Sequence, residues 1–151
     1  MKTFHQYALG FTTIVATLAL SFLTVSCGPK KQIDQLGTLN ASWEVIGFSG
    51  EEKLPNNAQG MQVTFDVAAA TVGGYGMCNS FGSSLRATKD GRMQTGEFTS
   101  TRVACSGTMY ENMIMGALSK ARYYVIDGNR LYLYPDQSKE TPVLVLKPLA
   151  K

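Results

Sequence analysis

The chain has 151 residues, of which 44% are hydrophobic, so it is long enough for one folded domain and too apolar to be disordered throughout. The formal net charge is only +3, and the basic residues are scattered, with Lys30 and Lys31 the one adjacent pair. This distribution argues against a nucleic-acid-binding surface. The one histidine, His5, lies in an N-terminal leader. A mature chain without it cannot form Ser-His-Asp, Cys-His or histidine-ligated metal sites.

Residues 1–26 form the leader. Lys2 precedes an uncharged, mostly apolar run from Tyr7 to Val25. The run ends in Leu23-Thr24-Val25-Ser26-Cys27, which resembles a lipobox, the cleavage site of a bacterial lipoprotein signal peptide. This resemblance implies that Cys27 becomes the lipidated first residue, held at a membrane by its acyl chains. The alternative is an uncleaved anchor with an incidental cysteine, because the run is nearly long enough to span a bilayer.

The segment after the leader has no pattern of core residues. Residues 27–37 are therefore predicted to be a flexible tether, and residues 38–149 one domain. Gly28 stands where an aspartate is associated with retention of lipoproteins in the inner membrane, which favours the outer membrane. We expect a lipid-anchored protein of the bacterial cell envelope, on the periplasmic side of the outer membrane.

Alternating hydrophobic residues predict strands in the first half of the domain. The first covers 39–47, with Trp43 facing inward, and the clearest one starts at Met61 and is expected to continue through Val72. The glycines of 73–76 then predict a tight turn, a bulge or a close backbone approach. Two further strands are predicted at 81–87 and 93–98, joined by the Asp90-Gly91 hairpin.

A helix is predicted over 108–121, because apolar residues recur there at spacings of three and four. Thr108 and Glu111 fit a capping box at its start. Three methionines, Met109, Met113 and Met115, are expected to pack in the core, the alternative being an adaptable binding face.

After the helix, Asp127-Gly128-Asn129 predicts a second hairpin, and 143–146 a buried last strand. The fold is therefore expected to be mainly β (α+β), a curved antiparallel sheet or half barrel with one helix packed across it.

Cys78 and Cys105 remain if Cys27 is lipidated. An even pair in an exported domain most often forms a disulfide. A pair of free buried thiols is the main alternative. A redox pair would be expected as C-x-x-C, and two thiolates make a poor zinc site, so no metal and no cofactor are expected.

Two segments carry a family resemblance. "GMCNSFG", residues 76–82, resembles the G-x-C-N-x-F/Y segment of the META domain, and "STRVACSG", residues 100–107, resembles its S-T-R-M-A-C segment. The chain is thus similar to the META-domain, HslJ-like lipoprotein family from about residue 38 to 148. The resemblance implies a half barrel packed on a helix and supports pairing Cys78 with Cys105. It also implies an association with envelope stress, and it offers no catalytic residues.

We expect no enzymatic activity, because the carboxylates share no catalytic motif and the expected cap and hairpin account for Glu111 and Asp127. The expected function is that of a stress or envelope-integrity factor that binds an envelope protein or an apolar ligand. The candidate contacts are Asn79, Thr101 and Arg102, unless these side chains only satisfy turns and the surface. The alternative function is a lipid or small-molecule carrier that uses the half-barrel cavity.

Overall fold

The computed structural model describes residues 34–56 and 58–150. In this part of the chain the elements follow one another as α1 (Gln35–Leu39), β1 (Ser42–Phe48), β2 (Gln62–Asp66), β3 (Thr71–Tyr75), β4 (Ser80–Ala87), β5 (Met93–Thr95), β6 (Thr99–Ser100), α2 (Thr108–Lys120), β7 (Tyr123–Asp127), β8 (Arg130–Tyr134) and β9 (Leu144–Pro148). The predicted fold class is confirmed: the domain is mainly β, with one long helix late in the sequence.

The strands form one antiparallel sheet that almost closes on itself. Their order is β5-β4-β3-β2-β1-β9-β8-β7, with β6 added to β4. The outer strands β5 and β7 approach each other at a bridge between Arg92 and Tyr123, where the Met93 N–H donates to the Arg122 carbonyl at 2.9 Å. The predicted half barrel is therefore confirmed, and it is nearly closed.

The inward positions of the strands fill the interior. On β1, Trp43 and Val45 are buried while their neighbours are only partly covered. On β2, Val63 and Phe65 are buried, while the residues next to them are partly or fully exposed. In β9 the apolar run Leu144 to Leu146 is buried at every position, as its continuous pattern predicts. Each large side chain removed from water in this way contributes about 1.5–3 kcal/mol.

The long helix α2 packs against this interior through Tyr110, Ile114 and Leu118. The expectation that its methionines pack in the core is wrong for two of them. Met109 is 60% exposed and Met113 40% exposed, because they lie to one side of the buried stripe, next to Ala117 in a surface groove. Met115 packs partly against the core.

The strand predicted from Met61 through Val72 is interrupted, so that prediction is wrong. β2 ends at Asp66, whose side chain accepts the Ala69 N–H at 2.8 Å, and Ala70 takes a φ of +55°. A side-chain acceptor that competes with the sheet ladder in this way initiates a turn. The chain therefore reverses into β3 without a glycine or proline to signal it.

The glycines that follow do not form the predicted turn. Gly73 and Gly74 lie within β3. A Cβ on Gly74 would overlap the carbonyl oxygen of Gln62 and come within 2.7 Å of the Phe81 ring, so the close-approach alternative is the correct one. Both predicted hairpins form, with φ of +81° at Gly91 and +54° at Gly128. The return strand predicted over 93–98 is shorter, since β5 ends at Thr95.

The leader, Cys27 and the tether up to residue 33 lie outside the described residues. The end of the predicted tether belongs to α1, whose Leu39 is fully buried. The Gln35 side chain accepts the Ile126 N–H at 3.2 Å and so fastens α1 to β7. The folded domain thus begins before the predicted boundary at 38. None of the described helices has the length and apolar character needed to span a membrane.

Candidate functional site

The two sequence segments that resemble a known family meet at one end of the barrel. Cys78 lies between β3 and β4, and Cys105 lies just before α2. The structure joins them in a disulfide with a Cα–Cα distance of 6.5 Å, which is within the usual range for such a bond. The disulfide fastens the β3–β4 connection to the segment that leads into α2.

The place where the β3–β4 connection meets the segment leading into α2 is hereafter the junction. Glu111, in the first turn of α2, is part of it and is only 3% exposed. One carboxylate oxygen accepts the N–H groups of Cys78 at 2.9 Å and of Asn79 at 2.7 Å. The other accepts the Asn79 side-chain amide at 2.7 Å. Gly76 leaves the space for this approach, because a Cβ there would lie 2.6 Å from the Glu111 side chain.

The predicted capping box is therefore wrong. The N-cap residue is Gly107, and no side chain caps the helix. The Thr108 hydroxyl donates to the Cys105 carbonyl at 3.0 Å instead. Glu111 turns across to the β3–β4 connection, where three donors converge on it, rather than back along its own helix.

The Asn79 side chain, also only 3% exposed, ties the junction to the segment after β6. Its carbonyl oxygen accepts the Thr101 hydroxyl at 2.9 Å and the Val103 N–H at 2.7 Å. Its amide donates to the Val103 carbonyl at 3.1 Å as well as to Glu111. These four bonds use both donors and both acceptor positions of the amide. Asn79 and Thr101 thus lie together, and both side chains form hydrogen bonds with backbone groups.

Arg102 is not part of that network. It is exposed, and no acidic partner lies against it among residues 34–56 and 58–150. Together with Thr101, Val103 and the start of α2 it lines a surface groove of about 600 Å³. Val103 beside it is 59% exposed.

The segment from residue 99 to 104, hereafter the 99–104 edge, is bonded on one side and directs the backbone groups of Ser100 away from the sheet. Thr101 donates its N–H to the Ser80 carbonyl at 3.0 Å, and Phe81 lies opposite Ser100 in the register. Ser100 therefore occupies a non-hydrogen-bonded position, with its N–H and carbonyl directed away from β4. Thr101 and Val103 both bond inward, to the Ser80 carbonyl and to the Asn79 side chain, and exposed Arg102 lies between them.

Comparison with known proteins identifies the family. The model of the META domain matches residues 35–147. The chain belongs to the META domain family. This confirms the resemblance found in the two cysteine segments. A search of the curated proteins finds no match.

Solved structures share the META fold of this chain at low sequence identity. A crystal structure of a DUF4847 family protein from Bacteroides vulgatus has a TM-score of 0.55 at 23% identity, over 75% of this chain and 94% of the other. An NMR structure of a protein from Burkholderia xenovorans also has a TM-score of 0.55, at 21% identity, over 74% of this chain and 83% of the other. Likeness at this identity concerns the fold alone.

The chemistry available at the META junction is limited by the disulfide. The sulfurs of Cys78 and Cys105 and a carboxylate oxygen of Glu111 lie within 4.8 Å of one another. Metal binding by cysteine needs thiolates, and both sulfurs are bonded to each other, so this cluster does not hold a metal in the oxidised state. The META domain is not a known enzyme family. What the junction does in the structure is hold the 99–104 edge in place through Asn79.

Proposed function

We propose that this META domain protein is a non-catalytic, lipid-anchored envelope factor that docks an extended segment of a protein partner along the 99–104 edge. The observation that carries this proposal is the outward backbone of Ser100 next to exposed Arg102, on a segment that Asn79 and Thr101 hold from behind. A peptide that adds to such an edge gains main-chain hydrogen bonds, and neighbouring side chains supply specificity. Arg102 and Val103 are exposed and would be those side chains.

The way in which the edge is fastened supports this role. Asn79 and Thr101 hold it through hydrogen bonds of 2.7–3.1 Å, and the disulfide closes its far end at Cys105. An edge that is already ordered loses less conformational entropy when a partner binds. The side chains predicted to contact a ligand therefore have two different roles in this proposal. Asn79 and Thr101 preorganise the edge, and Arg102 contacts the partner.

The location belongs to the same proposal. Lipidation of Cys27 after removal of residues 1–26, with palmitate among the acyl chains, would hold the domain at the outer membrane on the periplasmic side. A partner would then be another protein of the envelope, and the stress and envelope-integrity role associated with the family would follow from that contact.

The alternative function, a carrier of lipid or another small apolar molecule, has a weaker basis. The barrel interior is filled by side chains such as Trp43, Phe65 and Tyr124, each at most 2% exposed. An apolar ligand would have to use a surface groove of about 550 Å³ lined by Phe48, Val143 and the exposed methionines of α2. Lipid mass retained in native mass spectrometry of the purified chain would favour this alternative.

The docking proposal is tested by photo-crosslinking in cells that express the full chain. A photoreactive amino acid at Arg102 is expected to trap a defined envelope protein, and the same group at exposed Lys53 is not. Ser100→Pro removes an outward N–H that the fold does not use, so it should abolish the crosslink while the domain still folds. Thr101→Pro removes the inward N–H bonded to Ser80 and should instead destabilise the domain.

Two results would contradict the proposal. The first is a crosslinked protein that is trapped equally well from Lys53. The second is a crosslink from Arg102 that survives Ser100→Pro in a folded domain, since the contact would then not depend on the backbone of the edge.

A further inference from the structure

The barrel has a seam where β5 and β7 meet, and β5 pairs with the same side of β4 as β6 does, farther along that strand. β5 has three residues, and the register joins the two strands through a single bridge, Arg92 to Tyr123. A groove of about 560 Å³ follows this seam, with Met93, Tyr123 and Pro135 among its lining residues. The groove exists because the sheet closes at one point rather than along a full ladder.

Three arginines from three parts of the sequence line the groove: Arg86 on β4, Arg92 before β5 and Arg122 before β7. Lys139 adds a fourth cation at its margin, with Nζ 5.5 Å from the centroid of the Tyr123 ring. These residues are far apart in sequence, and the closure of the barrel gathers them.

Carboxylates neutralise only part of this charge. Arg92 pairs with Asp90 at 3.0 Å. Asp136 is the one carboxylate among the lining residues, and hydrogen bonds from Ser138 keep its pKa below the usual value, so it stays ionised. Three lining guanidiniums against that carboxylate leave 3 − 1 = +2. With Asp90 and the marginal Lys139 counted as well, the excess is 4 − 2 = +2.

The guanidiniums of Arg86 and Arg122 are available to a ligand. The Arg86 guanidinium makes no ion pair or hydrogen bond with residues 34–56 and 58–150. Arg122 donates from one nitrogen, Nη1, to the carbonyls of Ser119 and Ala121 at 2.8 Å each. These two bonds fix the orientation of the guanidinium and leave its remaining N–H groups free to donate.

We propose that this seam groove binds a phosphate group. Several guanidinium forks around one groove match the oxygens of a phosphate, each fork donating two parallel hydrogen bonds. The phosphate could belong to a lipid headgroup or to a soluble compound. The site is separate from the 99–104 edge and does not depend on the docking proposal.

Calorimetry with inorganic pyrophosphate on the full chain in a non-ionic detergent tests the site. Arg86→Gln and Arg122→Gln are each expected to weaken binding about 10-fold, the loss of one charge-assisted contact of about 1.4 kcal/mol. Lys53→Gln, which removes an exposed charge elsewhere, is the matched control and should leave the affinity unchanged. Hydrogen exchange should slow at 86–94 and 122–123 when pyrophosphate is added.

The origin of the phosphate is tested by adding detergent micelles that contain phosphatidylglycerol. Competition with pyrophosphate identifies a lipid headgroup as the source, and absence of competition identifies a soluble phosphate. The proposal is overturned if pyrophosphate does not bind, if malonate binds equally well, or if Arg86→Gln behaves like Lys53→Gln.

Discussion

At the scale of single residues, Asn79 and Glu111 form the pair on which the junction depends. Both are only 3% exposed. Their side chains are hydrogen-bonded to each other, and the Glu111 carboxylate also accepts the Asn79 backbone N–H. Removing either side chain would leave buried donors without acceptors, at a cost of about 1–3 kcal/mol for each group. The pair therefore has a structural role, and through Asn79 it also holds the 99–104 edge in place.

Asn79→Asp tests this pair with almost no change in shape. The new carboxyl loses the two amide donors and lies against the Glu111 carboxylate, so we expect about 3 kcal/mol of lost stability at pH 7. The neighbouring charge raises the pKa of the introduced carboxyl in the folded state. The loss should therefore shrink as the pH falls towards 4. Urea unfolding at pH 7 and 4.5 measures both effects, with Asn129→Asp at an exposed position as the control. A deficit independent of pH would contradict the proposed contact.

Tyr124 gives a second prediction, at alkaline pH. Burial raises the pKa of its phenol from 10.0 to about 12, and its hydroxyl donates to the Thr88 carbonyl at 2.7 Å. The unfolded chain ionises first, so stability is full below pH 10 and falls by up to about 3 kcal/mol as the pH rises to 12. Tyr124→Phe should lower stability by about 1 kcal/mol at pH 8 and flatten this alkaline slope.

The measurement is urea unfolding at pH 8, 9, 10 and 11. Tyr75→Phe, at a side chain that is 44% exposed, serves as the control. An unchanged alkaline slope in Tyr124→Phe would mean that ionisation of this phenol is not what destabilises the fold.

The role of Glu111 could not be predicted from its local sequence. A threonine followed three residues later by a glutamate has the pattern of a capping box, and the pattern is local. The three donors that redirect Glu111 come from residues 32 and 33 positions earlier. The one long-range signal was the expected Cys78–Cys105 pair, which places Asn79 near the start of α2.

At the scale of elements, the strands were predictable where their two faces differ. The β1 and β2 patterns gave the inward residues Trp43 and Phe65 because burial alternates along them. The turn after β2 depends on one Asp66 side chain and a left-handed alanine, which composition does not signal. The two-residue strand β6 exists because Thr101 and Asn79 hold it in place, so it too lay outside local prediction.

The disulfide is the element-scale feature whose removal should free the 99–104 edge. For a sequence separation of 27, the loop-entropy model predicts that Cys78→Ala with Cys105→Ala lowers stability by about 3.5 kcal/mol. Hydrogen exchange should increase at 101–106 and stay unchanged in β7 and β8. Thiol titration of the unreduced, denatured wild-type chain should detect no thiol besides Cys27. Two further reactive thiols would contradict the pairing.

At the scale of the whole molecule, the fold brings together basic residues that lie far apart in the sequence. The arginines of the seam groove appear scattered in sequence, which argued against a basic surface. Barrel closure brings Arg86, Arg92 and Arg122 to one groove. The Gln35 side chain likewise joins distant parts of the sequence, because it fastens α1 to β7 at Ile126, 91 positions later.

Lipid anchoring is the whole-molecule property on which the proposed function depends, and Cys27→Ser tests it. Several acyl chains at about 0.8 kcal/mol per buried methylene would hold a protein at a membrane. We therefore expect Cys27→Ser to lose palmitate labelling and to appear in the soluble fraction after a carbonate wash. Its urea unfolding midpoint should match that of the wild type, because Cys27 precedes the domain. A variant that stays in the washed membranes would instead mean that the leader remains as an uncleaved anchor.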